Sequence, residues 1–211
     1  MAKILGIDEA GRGPVIGPLI VAGVMIEEDN VKLLGEVKDS KLLTHSKRLK
    51  LDKQIKEVAD FKLIEVSPAE IDKAILSKDS NLNWLEAQKQ AEIINELQPD
   101  KAIIDCPSIN CKAYTQYLQN LLINKNIKLI VEHKADLNYP PCSAASILAK
   151  VLREEKMDEI KQKYGDTGPG YPANSQTQKF VKENWNKHPE IFRKTWSTYQ
   201  KVLNQENLTK Y

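Results

Sequence analysis

Short apolar runs that close on an acidic residue alternate along this chain with longer stretches of helical periodicity, and that alternation narrows the fold more than any other feature. Lys3 to Asp8 reads as a buried strand, and Val15 to Ile26 as a second, rich in Val and Ile with Gly and Pro only at its start. Phe61 to Val66, Lys101 to Asp105 and Ile127 to His133 supply three more. Thr44 is placed to cap a helix from His45 to Ala59 that turns Leu49, Ile55 and Val58 inward. Asn81 to Leu97 predicts a longer helix with Leu82, Leu85, Ile93, Ile94 and Leu97 on its apolar side, stopped by Pro99. Cys111 to Leu122 and Ser143 to Tyr164 follow as helices, the latter ending at Gly165 with Lys161 and Lys163 near its negative end. The pattern is α/β, with a loop and short helices expected after Gly168.

Composition sets bounds without choosing a function. The chain has 211 residues, 41% hydrophobic and 28% charged, enough to bury a core. A net charge of +2 leaves the partner open, because a binding face needs only a local excess of positive charge. Lysine outnumbers arginine, whose positions are Arg12, Arg48, Arg153 and Arg193, so an arginine between two glycines at Arg12 stands out. No run reaches the length of a membrane span and Met1 is not followed by a signal peptide, so a cytoplasmic protein without a membrane partner is expected. Cys106, Cys111 and Cys142 are odd in number and lack a Cys-x-x-Cys pair, which predicts three reduced thiols and neither a disulfide nor a zinc site. His45, His133 and His188 are scattered and are expected to pack or face solvent.

The acids are the chemical signal. Asp8 with Glu9, Asp105 and Asp136 each follow an apolar run, where functional groups gather in an α/β sheet. In a regular strand Asp8 and Glu9 point to opposite faces, so both serve one site only if the chain leaves the strand there, a freedom that Gly11 and Gly13 supply. If the four converge, two like charges about 4 Å apart repel by roughly 4 kcal/mol at an effective dielectric near 20, and protons or cations must resolve the repulsion. Oxygen ligands favour a hard ion such as Mg²⁺ or Mn²⁺ over zinc. Two such ions about 3.5 to 4 Å apart would activate a water and stabilise the leaving oxygen of a phosphodiester. The alternative is that these acids are turn formers, caps and solvated charges.

Five segments in order, "GIDEAGRGPVIGP", "KDSK" at Lys38 to Lys41, "IIDC" at Ile103 to Cys106, "EHKAD" at Glu132 to Asp136 and "SAASILAK" at Ser143 to Lys150, resemble the ribonuclease HII family. "GPGYP" at Gly168 to Pro172 is similar to its archaeal-type branch. The resemblance spans Lys3 to Trp196 and implies a ribonuclease H-like fold, a mixed sheet of about five strands flanked by helices with a C-terminal helical region. It implies a catalytic core over residues 1–165, a substrate-gripping loop and helices of the same domain over 166–203, and a tail over 204–211. It also implies a monomeric endonuclease that hydrolyses the RNA strand of RNA/DNA hybrids and cuts on the 5′ side of a single ribonucleotide in duplex DNA. The products would carry a 3′-hydroxyl and a 5′-phosphate.

The family's catalytic, metal-binding carboxylates fall by motif position on Asp8, Glu9, Asp105 and Asp136, with two Mg²⁺ or Mn²⁺ ions implied. Gly11, Arg12 and Gly13 resemble the segment that lies in the minor groove, where backbone amides and carbonyls reach the ribose 2′-hydroxyl that separates RNA from DNA. Tyr171 resembles the tyrosine that packs on the sugar after the ribonucleotide. Ser143, Ser146 and Lys150 form a polar stripe beside Ala144, Leu148 and Val151, suited either to phosphate or to close helix packing. Lys41 either holds a DNA backbone or faces water. Gln205, Leu208 and Tyr211 have the spacing of a sliding-clamp peptide. Two segments depart from the family: Cys142 stands where an aliphatic residue precedes "SAAS", and "RKTW" at Arg193 to Trp196 follows the C-terminal motif only loosely. Rival readings are a related nuclease acting on DNA alone, which would not require a 2′-hydroxyl, and a hybrid-binding module that has lost a carboxylate.

Overall fold

The structure is a computed structural model that describes residues 1–37 and 43–208, the last three by backbone alone. Its elements run β1 (Lys3–Ala10), β2 (Leu19–Glu27), α1 (His45–Val58), β3 (Asp60–Val66), α2 (Pro68–Leu76), α3 (Leu82–Leu97), β4 (Lys101–Asp105), α4 (Cys111–Leu121), β5 (Lys128–Glu132), α5 (Ala135–Asn138), α6 (Pro140–Tyr164), α7 (Ser175–Asn184) and α8 (Ser197–Leu208). The sheet order is β3-β2-β1-β4-β5. β1 pairs antiparallel with β2 and parallel with β4, which pairs parallel with β5. This is the mixed sheet flanked by helices that the resemblance implies.

Two compact units divide the chain. One comprises the described residues of Met1–Ala10, Ile20–Ile64 and Asn83–Leu152; the other comprises Gly11–Leu19, Glu65–Leu82 and the chain from Arg153 onward. In the first, Ile20, Ala22, Val24 and Ile26 of β2 form a buried cluster with Leu51 and Ile55 of α1 and with Ala144, Ala145, Leu148 and Val151 of α6. α1 starts where the sequence places it, with the Thr44 hydroxyl accepting from Lys47 N–H at 3.3 Å. α6 approaches β1 so closely that a Cβ on Gly6 would collide with the backbone of Pro141 and Cys142. Cys142, where the family carries an aliphatic residue, is fully buried and its thiol donates to the Ile103 carbonyl at 3.2 Å.

In the second unit Val15, Ile16, Met157, Phe180, Val181, Ile191, Phe192 and Tyr199 pack into their own core. β2 begins at Leu19, four residues later than the periodicity predicts. Val15 N–H instead donates to the Gly170 carbonyl at 2.8 Å, Arg193 N–H donates to the Val15 carbonyl at 2.9 Å, and Gly17 sits at φ +84°. Backbone groups spent on a loop cannot extend a strand. α2 is absent from the sequence expectation, although Ser67 caps it and Pro68 opens it in the usual manner. α6 starts at Pro140, three residues before its expected beginning, because proline is tolerated in a first helical turn.

Candidate active site

Parallel strands β1 and β4 carry Asp8 and Asp105, and the short α5 beyond β5 carries Asp136. One carboxylate oxygen from each lies within 4.8 Å of the others. Asp8 and Asp136 are buried, at 6% and 3% exposure, and Asp105 is half-buried. Lys134 adopts a left-handed conformation at φ 62°, turning the chain out of β5 into α5. Ala135 N–H then donates to Asp105 Oδ1 at 3.3 Å, so main chain from α5 fixes the acid on β4.

Three ionised carboxylates at this spacing repel one another, and a hard divalent cation relieves that repulsion. The donor set is all oxygen and fits such an ion. Burial, with the neighbouring charge of Asp105 as a smaller contribution, pushes the Asp8 carboxyl up to about 7 from its ordinary 3.8 against the opposing effects of Ser146, Glu9 N–H and Lys150. Ser146 hydrogen-bonds Asp8, and Lys150 Nζ donates to Ser146 Oγ at 2.7 Å, so α6 supports the acid through a two-link chain. Ser143 lies one turn nearer the helix start, and its hydroxyl donates to the carbonyls of Asp136 and Tyr139. Ser143 and Ser146 are buried, and Lys150 is half-buried.

The strand runs on past Asp8 where a departure was expected. β1 stays paired with β2 through Ala10, with Glu9 opposite Val21, so the chain does not leave the strand between the two acids. The three acids that meet within 4.8 Å are Asp8, Asp105 and Asp136, and Glu9 is outside that group. Its N–H donates to Asp8 Oδ1 at 2.8 Å.

Gly11, Arg12 and Gly13 belong to the second unit together with Tyr171. Gly11 has φ +88°, and a Cβ there would run into Arg153. A Cβ on Gly13 would meet nothing nearer than the Tyr171 ring, 3.9 Å away. Tyr171 is 46% exposed, and the Arg153 guanidinium carbon lies 5.6 Å from its ring centre. Arg153 is itself buried, which pulls its pKa below the ordinary value, and its Nε and Nη2 meet no hydrogen-bond partner among the described residues.

Sequence reasoning missed the residue that shapes this loop. Arg193 is fully buried, and its guanidinium donates to the carbonyls of Gly11 at 2.6 Å, Arg12 at 2.8 Å and Gly17 at 3.1 Å. Trp196 Nε1 donates to the Gly13 carbonyl at 2.9 Å. Asp72 holds the intervening segment by accepting from Lys194 N–H, Thr195 N–H and the Thr195 hydroxyl. The available signal was the scarcity of arginine in a lysine-rich chain, because a planar fork of donors is what several carbonyls at once require. Lys41 and Tyr211 lie outside the described residues; Gln205 is exposed on α8, and Leu208 is described by backbone alone.

The sequence profile of the family described as Ribonuclease HII matches residues 5–199. A Ribonuclease HII of Pyrococcus furiosus is 45% identical over 208 residues, which is 95% of this chain and 91% of that protein. The crystal structure of the ribonuclease H2 from Pyrococcus horikoshii OT3 superposes with a TM-score of 0.88 at 37% identity, covering 99% of this chain and all of that one. The ribonuclease HII in the PCNA:RNase HII complex from Archaeoglobus fulgidus matches with a TM-score of 0.82 at 37% identity, over 94% of this chain and 96% of its own. Such matches over nearly the whole length, on a structure that gathers three carboxylates from β1, β4 and α5, show that the chain belongs to the ribonuclease HII family of metal-dependent ribonuclease H enzymes.

Proposed function

We propose that this enzyme hydrolyses the RNA strand of RNA/DNA hybrids and cuts 5′ of single ribonucleotides embedded in duplex DNA, leaving a 3′-hydroxyl and a 5′-phosphate. The observation that carries the reading is the convergence of Asp8, Asp105 and Asp136. These residues would hold Mg²⁺ or Mn²⁺, and Glu9 enters the proposal by its motif position. Two bound ions would supply Lewis acidity to the phosphodiester and its attacking water. The chain's own part is to support and aim the acids: Ser146 and Lys150 favour the charged form of Asp8 against its burial, and Ala135 N–H orients Asp105. Ser143, Lys150 and Lys41 are proposed phosphate contacts.

Selection of RNA falls to the loop 11–13. Because its carbonyls accept from Arg193 and Trp196, the N–H groups of the loop are the proposed contact to the 2′-hydroxyl. The half-exposed ring of Tyr171 is the proposed surface for the following sugar. The role would be removal of ribonucleotides from DNA in the cytoplasm, with the tail bearing Gln205, Leu208 and Tyr211 docking on a sliding clamp. Support for the clamp comes from the spacing and from the solved PCNA complex of the Archaeoglobus fulgidus relative.

The test offers labelled duplexes with zero, one or several ribonucleotides, with Mg²⁺, with Mn²⁺ and with chelator. Cleavage is expected on the 5′ side of a single ribonucleotide and within longer RNA tracts, only with metal. Cutting of all-DNA duplex at a similar rate would favour a DNA nuclease, and cutting in chelator would remove the metal from the reading.

A further inference from the structure

Away from the acidic cluster, Cys106 Sγ, Cys111 Sγ and a ring nitrogen of His133 lie within 4.8 Å of one another. Topology assembles them. Cys106 directly follows β4 and His133 directly follows β5, whose parallel register sets Asp105 beside Glu132, and Cys106 N–H donates to the Glu132 carbonyl at 2.9 Å. α4 opens on Cys111, with the Asn110 side chain accepting from Ala113 N–H at 3.0 Å and Asn110 N–H donating to Ser108 Oγ at 3.2 Å. Two parallel strand ends and a capped helix start therefore hold the three groups.

The histidine is oriented as a ligand. His133 Nδ1 lies 3.2 Å from the Cys106 carbonyl, which can only accept, so Nδ1 carries the proton. Nε2 then presents its lone pair to Cys111 Sγ, 3.3 Å away. A carbonyl partner on the far nitrogen is the support that metal-ligating histidines characteristically have. An ion with bonds of about 2.3 Å to sulfur and about 2.0 Å to nitrogen in tetrahedral geometry needs sulfur and nitrogen about 3.5 Å apart, slightly more than the 3.3 Å observed.

We propose that Cys106, Cys111 and His133 form a Zn²⁺ site. In the metal-free protein the Cys106 thiol donates to the Ser108 carbonyl at 3.4 Å, and the Cys111 thiol to His133 Nε2. Zn²⁺ replaces both thiol protons, which pass to solvent, and the two thiolates neutralise its charge. The fourth position is open to water, since Cys111 is half-buried and His133 exposed. Sulfur and nitrogen donors separate this site from the all-oxygen acids, which prefer harder ions. Such a site carries no Cys-x-x-Cys signature because its third ligand comes from the neighbouring strand.

The test uses the full chain, reduced and stripped of metal, titrated with Co²⁺ in excess Mg²⁺. One equivalent should give a thiolate-to-cobalt charge-transfer band that stoichiometric Zn²⁺ abolishes. Cys111→Ser and His133→Ala should each remove the band and weaken Zn²⁺ binding by about 100-fold or more, while Asp136→Asn keeps it. His133 is exposed, so its alanine variant tests the site even if a cysteine variant misfolds. A missing band in the wild type, a band surviving in both ligand variants, or one lost only with Asp136→Asn would each overturn the proposal. So would stable pairing of Cys106 with Cys111 as a disulfide that, once reduced, still takes up no zinc.

Discussion

Asp8 is held in a place that disfavours its own charge, and that has a measurable sign. The unfolded carboxyl gives up its proton near 3.8 and the folded one near 7, so between those values the native state binds more protons and loses stability as pH rises. The loss is complete above the upper value. Asp8→Asn is therefore expected to raise the melting temperature of the metal-free protein at pH 8, with the gain shrinking toward pH 4. The same variant should lower hybrid cleavage by about 100-fold or more while hybrid binding persists. Equal melting curves at pH 8 would mean that burial does not strain the acid. Asp8 and Asp105 were legible because each ends an apolar run. The continuation of β1 beyond Asp8 was not, since it is set by strand pairing, and the pairing partner of Ala10 is Ile20. Arg193 was illegible for a similar reason, as its acceptors lie at the other end of the chain.

Among elements, the loop after β1 depends most on distant support. Arg193→Met would leave the carbonyls of Gly11, Arg12 and Gly17 without their donor, at an expected cost of about 3 kcal/mol or more in chemical denaturation. A shift below about 1 kcal/mol would show that the loop holds its shape unaided. Tyr171→Ala, at a half-exposed position, should leave the denaturation midpoint almost unchanged and reduce the preference for a single embedded ribonucleotide over a long hybrid. An unaltered cut pattern would deny the ring that role. Strands β1, β3, β4 and β5 and helices α1, α3 and α4 were readable to within a few residues, because apolar period and caps agree along them. α2 escaped because its nine residues carry too short a period to stand out, and the start of β2 moved because Val15 bonds to Gly170 and Arg193.

For the whole molecule, the tail gives a separable prediction. Removing Gln205 to Tyr211 should leave hybrid hydrolysis and melting temperature unchanged and abolish clamp binding in a pull-down with the cognate clamp. Retained binding would place the contact elsewhere. The fold class was legible from the strand and helix alternation, whereas the strand order was not, since it depends on which distant segments pair. β1 is made first yet lies at the middle of the sheet, and its neighbour β4 arrives late: Lys3 N–H bonds the Asp100 side chain at a separation of 97 residues. Closing so long a loop is an entropic cost met before the contacts form. A nascent polypeptide emerging from the ribosome therefore displays Asp8 without companions, and on the proposed carboxylate site it would stay catalytically silent until translation has carried Asp136 clear of the exit tunnel.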